Sequence, residues 1–445
     1  MKENKMINRF KEWNGSPLAK LMVALFIAIM LLIPVSAIKD LMREREYRRD
    51  DAKTEVINQW GGWQQIAGPV LAIPVEEKYV EHYADRNEVG IIRHYLYILP
   101  DSLEIIGDIQ SQVREKGIFE IELYSGQFSI KGAFSKPENP LWNLENGEIL
   151  WDEARLILGL GDVKGLSQSV DLNWNGASSD FQGGTSGTEL FPSGISASTP
   201  FHGTEQISFH MNVHLKGGGS INFFPMGDET SVSIKSDWLS PGFSGSFIPT
   251  TRELSENGFS AGWEIQALAR SYPQFWLDDE VSWSEISTSN FGVDFLTPID
   301  GYFKSHRAIK YSMLFIFLPF ITLFLFEIFA AGRLHPFQYI MVGLTVCMFF
   351  LLLLTLSEHM DFNMAYLAAG LASAALVSFY TGAVFKSVAK GGIMALLNAL
   401  LYLYLYMALA SEDYALLIGS LGLFTILTGI MIVTRKINWY EIGKK

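Results

Sequence analysis

Residues Tyr311 to Ala331 read YSMLFIFLPFITLFLFEIFAA, twenty-one positions with one charged side chain, Glu327. An α-helix rises about 1.5 Å per residue, so roughly 20 apolar residues cross a hydrocarbon layer of about 30 Å. This stretch therefore predicts a membrane span. Four more apolar runs follow it, Gln338 to Ser357, Asn363 to Val384, Ile393 to Leu409 and Tyr414 to Val433, and one precedes it by far, Leu18 to Ile38. Backbone groups in lipid must be satisfied within each segment, which makes the five later runs a helical bundle.

Between the first and second runs lie 272 residues of different character. Of the chain's 34 basic and 47 acidic side chains, residues 39 to 310 hold 22 and 39, so this section is near −17. A surface so acidic repels phosphate backbones, which excludes nucleic acid as a partner and leaves cationic or neutral ones. The single cysteine, Cys347, lies in an apolar run, so neither an intramolecular disulfide nor a cysteine-built metal site is available.

The run Leu18 to Ile38 follows Lys2, Lys5, Arg9 and Lys11 and contains Lys20, the pattern of an export signal. The triplet Val35-Ser36-Ala37 would suit a signal peptidase. The length of the run and of the basic segment favours an uncleaved anchor. Beyond it, Lys39 to Asp51 mixes both signs at three- and four-residue spacings, as in a solvated helix.

From Gly68 onward the apolar period becomes two. Val70 to Val75, Tyr95 to Leu99, Phe119 to Leu123, Phe128 to Phe134, Ile207 to Val213, Ser231 to Ile234 and Trp263 to Ile265 read as short strands between turn residues. They predict an all-β, antiparallel, sandwich-like domain, with an open barrel as the alternative. Asn175 to Thr204, rich in Gly, Ser and Thr, reads as a loop. Gly161-Asp162 before Ser169 to Trp174 weakly echoes Gly227-Asp228 before Ser231 to Trp238.

The charges of the short connections set an orientation. With the N-terminus cytoplasmic, Arg333, Lys386, Lys390, Arg435, Lys436, Lys444 and Lys445 fall inside, and Glu358, Asp361, Glu412 and Asp413 fall outside, as the positive-inside rule requires. Lys304, Arg307 and Lys310 fall on the outer side, where a long exported domain crosses regardless of such charges. The expected organisation is a cytoplasmic segment 1–17, an anchor 18–38, an exported β-rich domain 39–310, a five-helix bundle 311–433 and a cytoplasmic tail 434–445, making a six-span α-helical polytopic membrane protein.

Few residues suggest chemistry. Gly258-Phe259-Ser260-Ala261-Gly262 matches the G-x-S-x-G elbow of hydrolases, but that motif needs an apolar strand before it and a helix after it, and here a strand follows. His210 and His214 on a strand would stand about 13 Å apart, too far for one ion. Asp278-Asp279-Glu280 with Glu285 lacks the spaced oxygens of a calcium loop. No cofactor, catalytic or metal site is expected. Glu327 is placed near the inner membrane face, within reach of water or headgroups. Asn398 is expected to bond across helices. His335, Glu358 and His359 are expected in short loops, with an ion or proton site there as the minor alternative. Gly370, Ala374, Ser378 and Gly382 make a small-residue stripe for helix packing.

Several stretches in combination resemble the CreD family of inner-membrane proteins linked to cell-envelope integrity. They include Leu325-Phe326-Glu327, His335-Pro336-Phe337-Gln338-Tyr339, Leu356-Ser357-Glu358-His359, Glu412 to Leu417, Glu46-Tyr47-Arg48, Gly68 to Pro74, Leu99 to Leu103, Phe247-Ile248-Pro249 and Pro273-Gln274. The resemblance implies an uncleaved anchor, a periplasmic domain and a non-enzymatic part in envelope stress, including responses to colicins and β-lactams. It supplies no catalytic residue. The partners expected are the lipid bilayer and other envelope proteins. A transporter component and an extracytoplasmic hydrolase acting through Ser260 are the alternatives.

Overall fold

A computed structural model describes residues 17–82, 87–137, 147–201, 206–295, 301–329, 334–411 and 414–435. The chain divides into two compact units, Met1–Arg49 with Ile299–Lys445, and Asp50–Pro298. Among the described residues six helices are long and apolar enough to cross a membrane: Ala19–Trp60, Ser312–Phe329, Pro336–Ser357, Phe362–Val384, Val388–Ala410 and Leu417–Thr434. They coincide with the six apolar runs. Lys2, Lys5, Arg9, Lys11, Arg333, Glu412, Asp413, Lys436, Lys444 and Lys445 lie outside the described residues.

The first helix runs far beyond its apolar part. It is regular over Pro17–Met30 and again over Leu32–Trp60, with a turn at Leu31. Pro34 accounts for that turn, since its ring lacks the N–H that would bond the Met30 carbonyl and crowds it instead. The mixed-charge stretch Lys39 to Asp51 is helical, as its spacing predicted.

Inside the helical unit the core is aromatic. The rings of Phe315 and Phe349 stack at 5.9 Å and Tyr402 meets Phe349 edge-on at 4.8 Å, joining three spans in one cluster. The last span, in contrast, is only 6% buried over its apolar window. Its tie to the preceding helix is the Tyr404 hydroxyl, which donates to the carbonyls of Ile418 and Gly419.

The second unit is a sandwich of a ten-stranded and an eight-stranded sheet. The strand Ile207–Gly218 shows why: Ile207, Phe209, Met211, Val213 and Leu215 are buried while Ser208, His210 and Asn212 are exposed. One face of each sheet is thereby apolar, and Phe128 of one meets Phe223 of the other at 6.2 Å. Strands exceed the predicted runs, reaching Gln64–His82, Asn87–Ile98 and Phe119–Phe134, and Ser102–Lys116 adds one that was not anticipated.

Two details depart from expectation. The sheets are mixed, because Glu229–Ser236 runs parallel to Ser102–Lys116 and Gln64–His82 is parallel to Ser220–Phe223. The region 175–204 is not a plain loop: Ala177–Asp180, Gln182–Gly183 and Gly194–Ser198 are strands. Small side chains hid them, since backbone pairing needs no apolar alternation. The Gly-Asp echo marks unlike places, with Asp171–Trp174 next to a sheet edge and Glu229–Ser236 central.

The end of the first helix, from Asp50, belongs to the sheet-rich unit. Ile57 is fully buried with Ile121 and Leu123 on the eight-stranded sheet, flanked by Val56 and Trp60. The Trp60 indole N–H donates to the Tyr124 carbonyl, and Arg114 and Lys216 lie over its ring at 4.1 and 4.8 Å. Gly62, at φ 78°, ends the helix in the left-handed conformation that glycine adopts freely, and its N–H returns to the Ile57 carbonyl.

Candidate functional site: two buried carboxylates in the helical unit

A carboxylate inside a membrane protein must be paired, because lipid offers it no hydration. Glu327 stands two residues before the end of Ser312–Phe329, and its side chain is 5% exposed. Lys20 Nζ lies 2.5 Å from its Oε1, the Leu334 backbone N–H donates to Oε1 at 3.2 Å and the Tyr339 hydroxyl to Oε2 at 3.4 Å. The expectation that Glu327 reaches water or headgroups is thus corrected. The ammonium of the first helix takes the place of solvent.

Glu358 forms the counterpart. It caps the C-terminus of Pro336–Ser357, its side chain is 7% exposed, and it accepts a 2.8 Å bond from the Tyr302 hydroxyl. Arg45 Nε stands 3.8 Å away, and Arg49 covers the Tyr302 ring at 5.3 Å. Burial first, and then the adjoining Glu358 charge, keep the Tyr302 phenol protonated with its pKa above the ordinary tyrosine value. Next to it His306 Nε2 meets Glu46 Oε2 at 3.2 Å.

The two carboxylate clusters sit at opposite ends of one helix. Tyr339 to Glu358 is nineteen residues in sequence, or about 28 Å of helix, close to the thickness of a hydrocarbon layer. The same first helix supplies a cation to each, Lys20 at one end and Arg45 at the other. Arg307, one of the basic residues on the unexpected side, donates to the carbonyls of Ala408 and Ser411, where a helix C-terminus favours positive charge. Lys304 lies over the Phe362 ring.

The remaining candidates separate. His335 is the N-cap of Pro336–Ser357, its Nδ1 accepting from the Phe337 N–H, while His359 is an exposed residue beyond the opposite end of that helix. The three do not share one ion or proton site, because a 22-residue helix separates His335 from Glu358 and His359. The Asn398 amide nitrogen is buried without a partner among the described residues. The cross-helix bond is made instead by Tyr366, whose hydroxyl donates to the Tyr402 carbonyl at 2.7 Å.

The small-residue stripe lies where Phe362–Val384 meets Val388–Ala410. Gly370 faces the Tyr402 ring, and a Cβ on Gly391 would sit 3.1 Å from the Ser378 carbonyl oxygen and 3.2 Å from Gly382 Cα. Ala374 is half-buried and Ser378 buried on the same helix. Such proximity requires small residues on both helices.

In the sheet-rich unit, Ser260 sits within Gly258–Gln266, paired with Lys235 on one side and Glu253 on the other. Its setting is a continuous ladder, not an elbow. His210 and His214 share the solvent-facing side of one strand, His210 bonding to Ser129. Glu280 and Glu285 accept backbone N–H bonds at their own turns.

Sequence reading missed the partners of the two carboxylates, Lys20, Tyr339, Arg45 and Tyr302. The signal for Lys20 was present: a lysine inside the first apolar run and an acid inside the second, each of which needs an opposite charge. Residues 16–440 match the family model described as "Inner membrane protein CreD". The chain is also 33% identical over 433 residues, 96% of its length and 95% of the relative's, to the inner membrane protein CreD of Escherichia coli (strain K12). The chain therefore belongs to the CreD family of inner-membrane proteins.

Proposed function

We propose that this protein supports cell-envelope integrity under stress, including exposure to colicins and β-lactams, as a non-enzymatic component of the inner membrane. Both termini are cytoplasmic and the sheet-rich unit is periplasmic. One observation carries the orientation: Lys386 and Lys390 flank the connection between Phe362–Val384 and Val388–Ala410, while Glu358 and Asp361 flank the preceding connection. Positive charge stays on the cytoplasmic side of a bilayer.

The non-enzymatic reading is supported by the setting of Ser260, which lies in a sheet ladder between Lys235 and Glu253 and not at a strand-to-helix elbow. The buried carboxylates are each held by a cation or a phenol, an arrangement suited to fixing helices. Lipids and envelope proteins are the partners this reading implies.

A reporter enzyme fused near residue 200 tests the orientation. Activity restricted to the cytosol would refute it. Cells deleted for the protein, challenged with colicins and β-lactams and complemented by the wild-type chain or by Ser260→Ala, test the role. Equal rescue by both is expected. Survival that is indifferent to the deletion would remove the envelope reading, and rescue lost in Ser260→Ala would restore the hydrolase.

A further inference from the structure

The sheet-rich unit contains a cavity of about 510 Å³ between the strand Asn87–Ile98, the segment around Gly187 and the turn Asp278–Glu280. That volume falls in the range of pockets for small ligands. Three of its ten lining residues, Tyr95, Tyr97 and Trp283, are aromatic and braced. Tyr95 and Tyr97 stack at 6.4 Å, Tyr97 packs on Trp276 at 5.6 Å, and Trp283 is held by Phe191 and Phe224 at 5.5 and 5.1 Å. At Gly187, φ 81°, a Cβ would meet nothing within 4 Å, so the backbone stands open to the space.

The charges of the lining have one sign. Glu189 and Asp278 are acidic, and the lining includes no Lys, Arg or His. Glu189 is exposed and makes no hydrogen bond or ion pair among the described residues. Asp278 is fixed: its Oδ1 accepts the Tyr95 N–H at 2.6 Å and its Oδ2 bonds His94 Nδ1, although its φ of 40° is a conformation most residues avoid. His94 is shared with Glu77 at 3.5 Å, so even a protonated imidazole leaves that trio negative.

We infer that this cavity binds a small organic ammonium ion, its alkyl or quaternary nitrogen against the faces of Tyr95 and Trp283 and its charge toward Glu189. Ring faces carry negative potential and attract cations, and a carboxylate without an internal partner supplies the counter-charge. An anionic ligand has no cation to meet here. The site is self-contained in the sheet-rich unit, so it does not depend on the membrane orientation or on the envelope role proposed above.

The test uses the intact protein in detergent, titrated with choline, spermidine and glucose by calorimetry with tryptophan fluorescence as a second readout. Choline or spermidine is expected to bind saturably, with affinity falling about tenfold or more in Glu189→Gln and falling again as salt is raised. Glu189 is exposed, so this variant leaves the core intact, which an unchanged melting temperature verifies. Trp283→Leu should weaken the same ligand. The inference is overturned if neither cation saturates below about 10 mM, the weak end of specific small-ligand affinity. It is equally overturned if glucose is the ligand that binds, or if Glu189→Gln binds the cations as the wild type does.

Discussion

Lys20 and Glu327 face each other at 2.5 Å although 307 residues separate them in the chain, and the carboxylate they share with Tyr339 is almost closed to solvent. Removing one member of such a pair strands the other. Replacement of one partner of a buried pair costs about 3–5 kcal/mol, and an apolar pair of similar volume restores much of the loss. Lys20 keeps 28% exposure and can extend toward headgroups. Glu327→Leu and Lys20→Met should therefore each lower the melting temperature in detergent, Glu327→Leu with the smaller effect. The double variant should melt above the sum of the two losses. Strict additivity in that cycle would show that the pair carries no coupling.

Tyr302→Phe deletes the hydroxyl bound to Glu358 and leaves a buried carboxylate with Arg45 at 3.8 Å as its remaining polar neighbour of those described above. The expected loss is about 1–3 kcal/mol, as for any buried acceptor whose donor is removed. Denaturation monitored on the helical unit checks it, and a variant as stable as wild type would contradict the assignment.

Gly391 and Gly392 offer a matched pair. A side chain at Gly391 meets the backbone of Ser378 and Gly382, whereas at Gly392 it meets nothing within 4 Å. Gly391→Leu should destabilise the helical unit by separating two spans, while Gly392→Leu should be near neutral or stabilising through the loss of glycine flexibility. Equal effects would show that the two helices do not approach as described.

On the sheet-rich side, Ile57→Ala empties a fully buried site between the first helix and the strand Phe119–Phe134. The expected cost is about 2–5 kcal/mol. Limited proteolysis should then cut first near residue 57, and cutting unchanged from wild type would count against this docking.

Alkaline pH probes the same region. Tyr124 is buried, its hydroxyl bonded to the Ser220 carbonyl, and burial raises its pKa well above the usual phenol value. Tyr272, also buried, shifts the same way. Both states keep these protons below about pH 10, so neither residue tilts stability there. Above it the unfolded chain loses its protons first and stability falls as pH rises toward the folded values. Tyr124→Phe should flatten this alkaline decline of the sheet-rich unit, measured by denaturant titration at successive pH values.

How legible these features were depends on the length of the signal. Six runs of seventeen to twenty-two apolar residues announce six spans without reference to anything else. Strands with strict alternation, such as Ile207–Gly218, were equally plain. The strand Gly194–Ser198 was not, since GISAS alternates over only a few small residues, with Ile195 as its one bulky apolar side chain, and is defined by its pairing with Arg155–Leu160. Sheet order and the two parallel pairings are set by contacts distant in sequence, for which no local pattern exists. At the site, Glu327 and Glu358 drew notice because charge in or beside an apolar run is rare. Their cationic partners, Lys20 and Arg45, are 307 and 313 residues away in the chain, beyond any motif.

The first helix touches an acid near each end of its apolar course, through Lys20 and through Arg45, and Leu31 between them fills the space a side chain at Gly343 would occupy. Three such fixings make a ruler. Sliding that helix by a single turn, about 5.4 Å, would break both ion pairs and drive Leu31 out of its notch at once. Piston motion along its axis therefore gives up all three contacts together, whereas bending at Leu31 or loosening one end leaves the others in place.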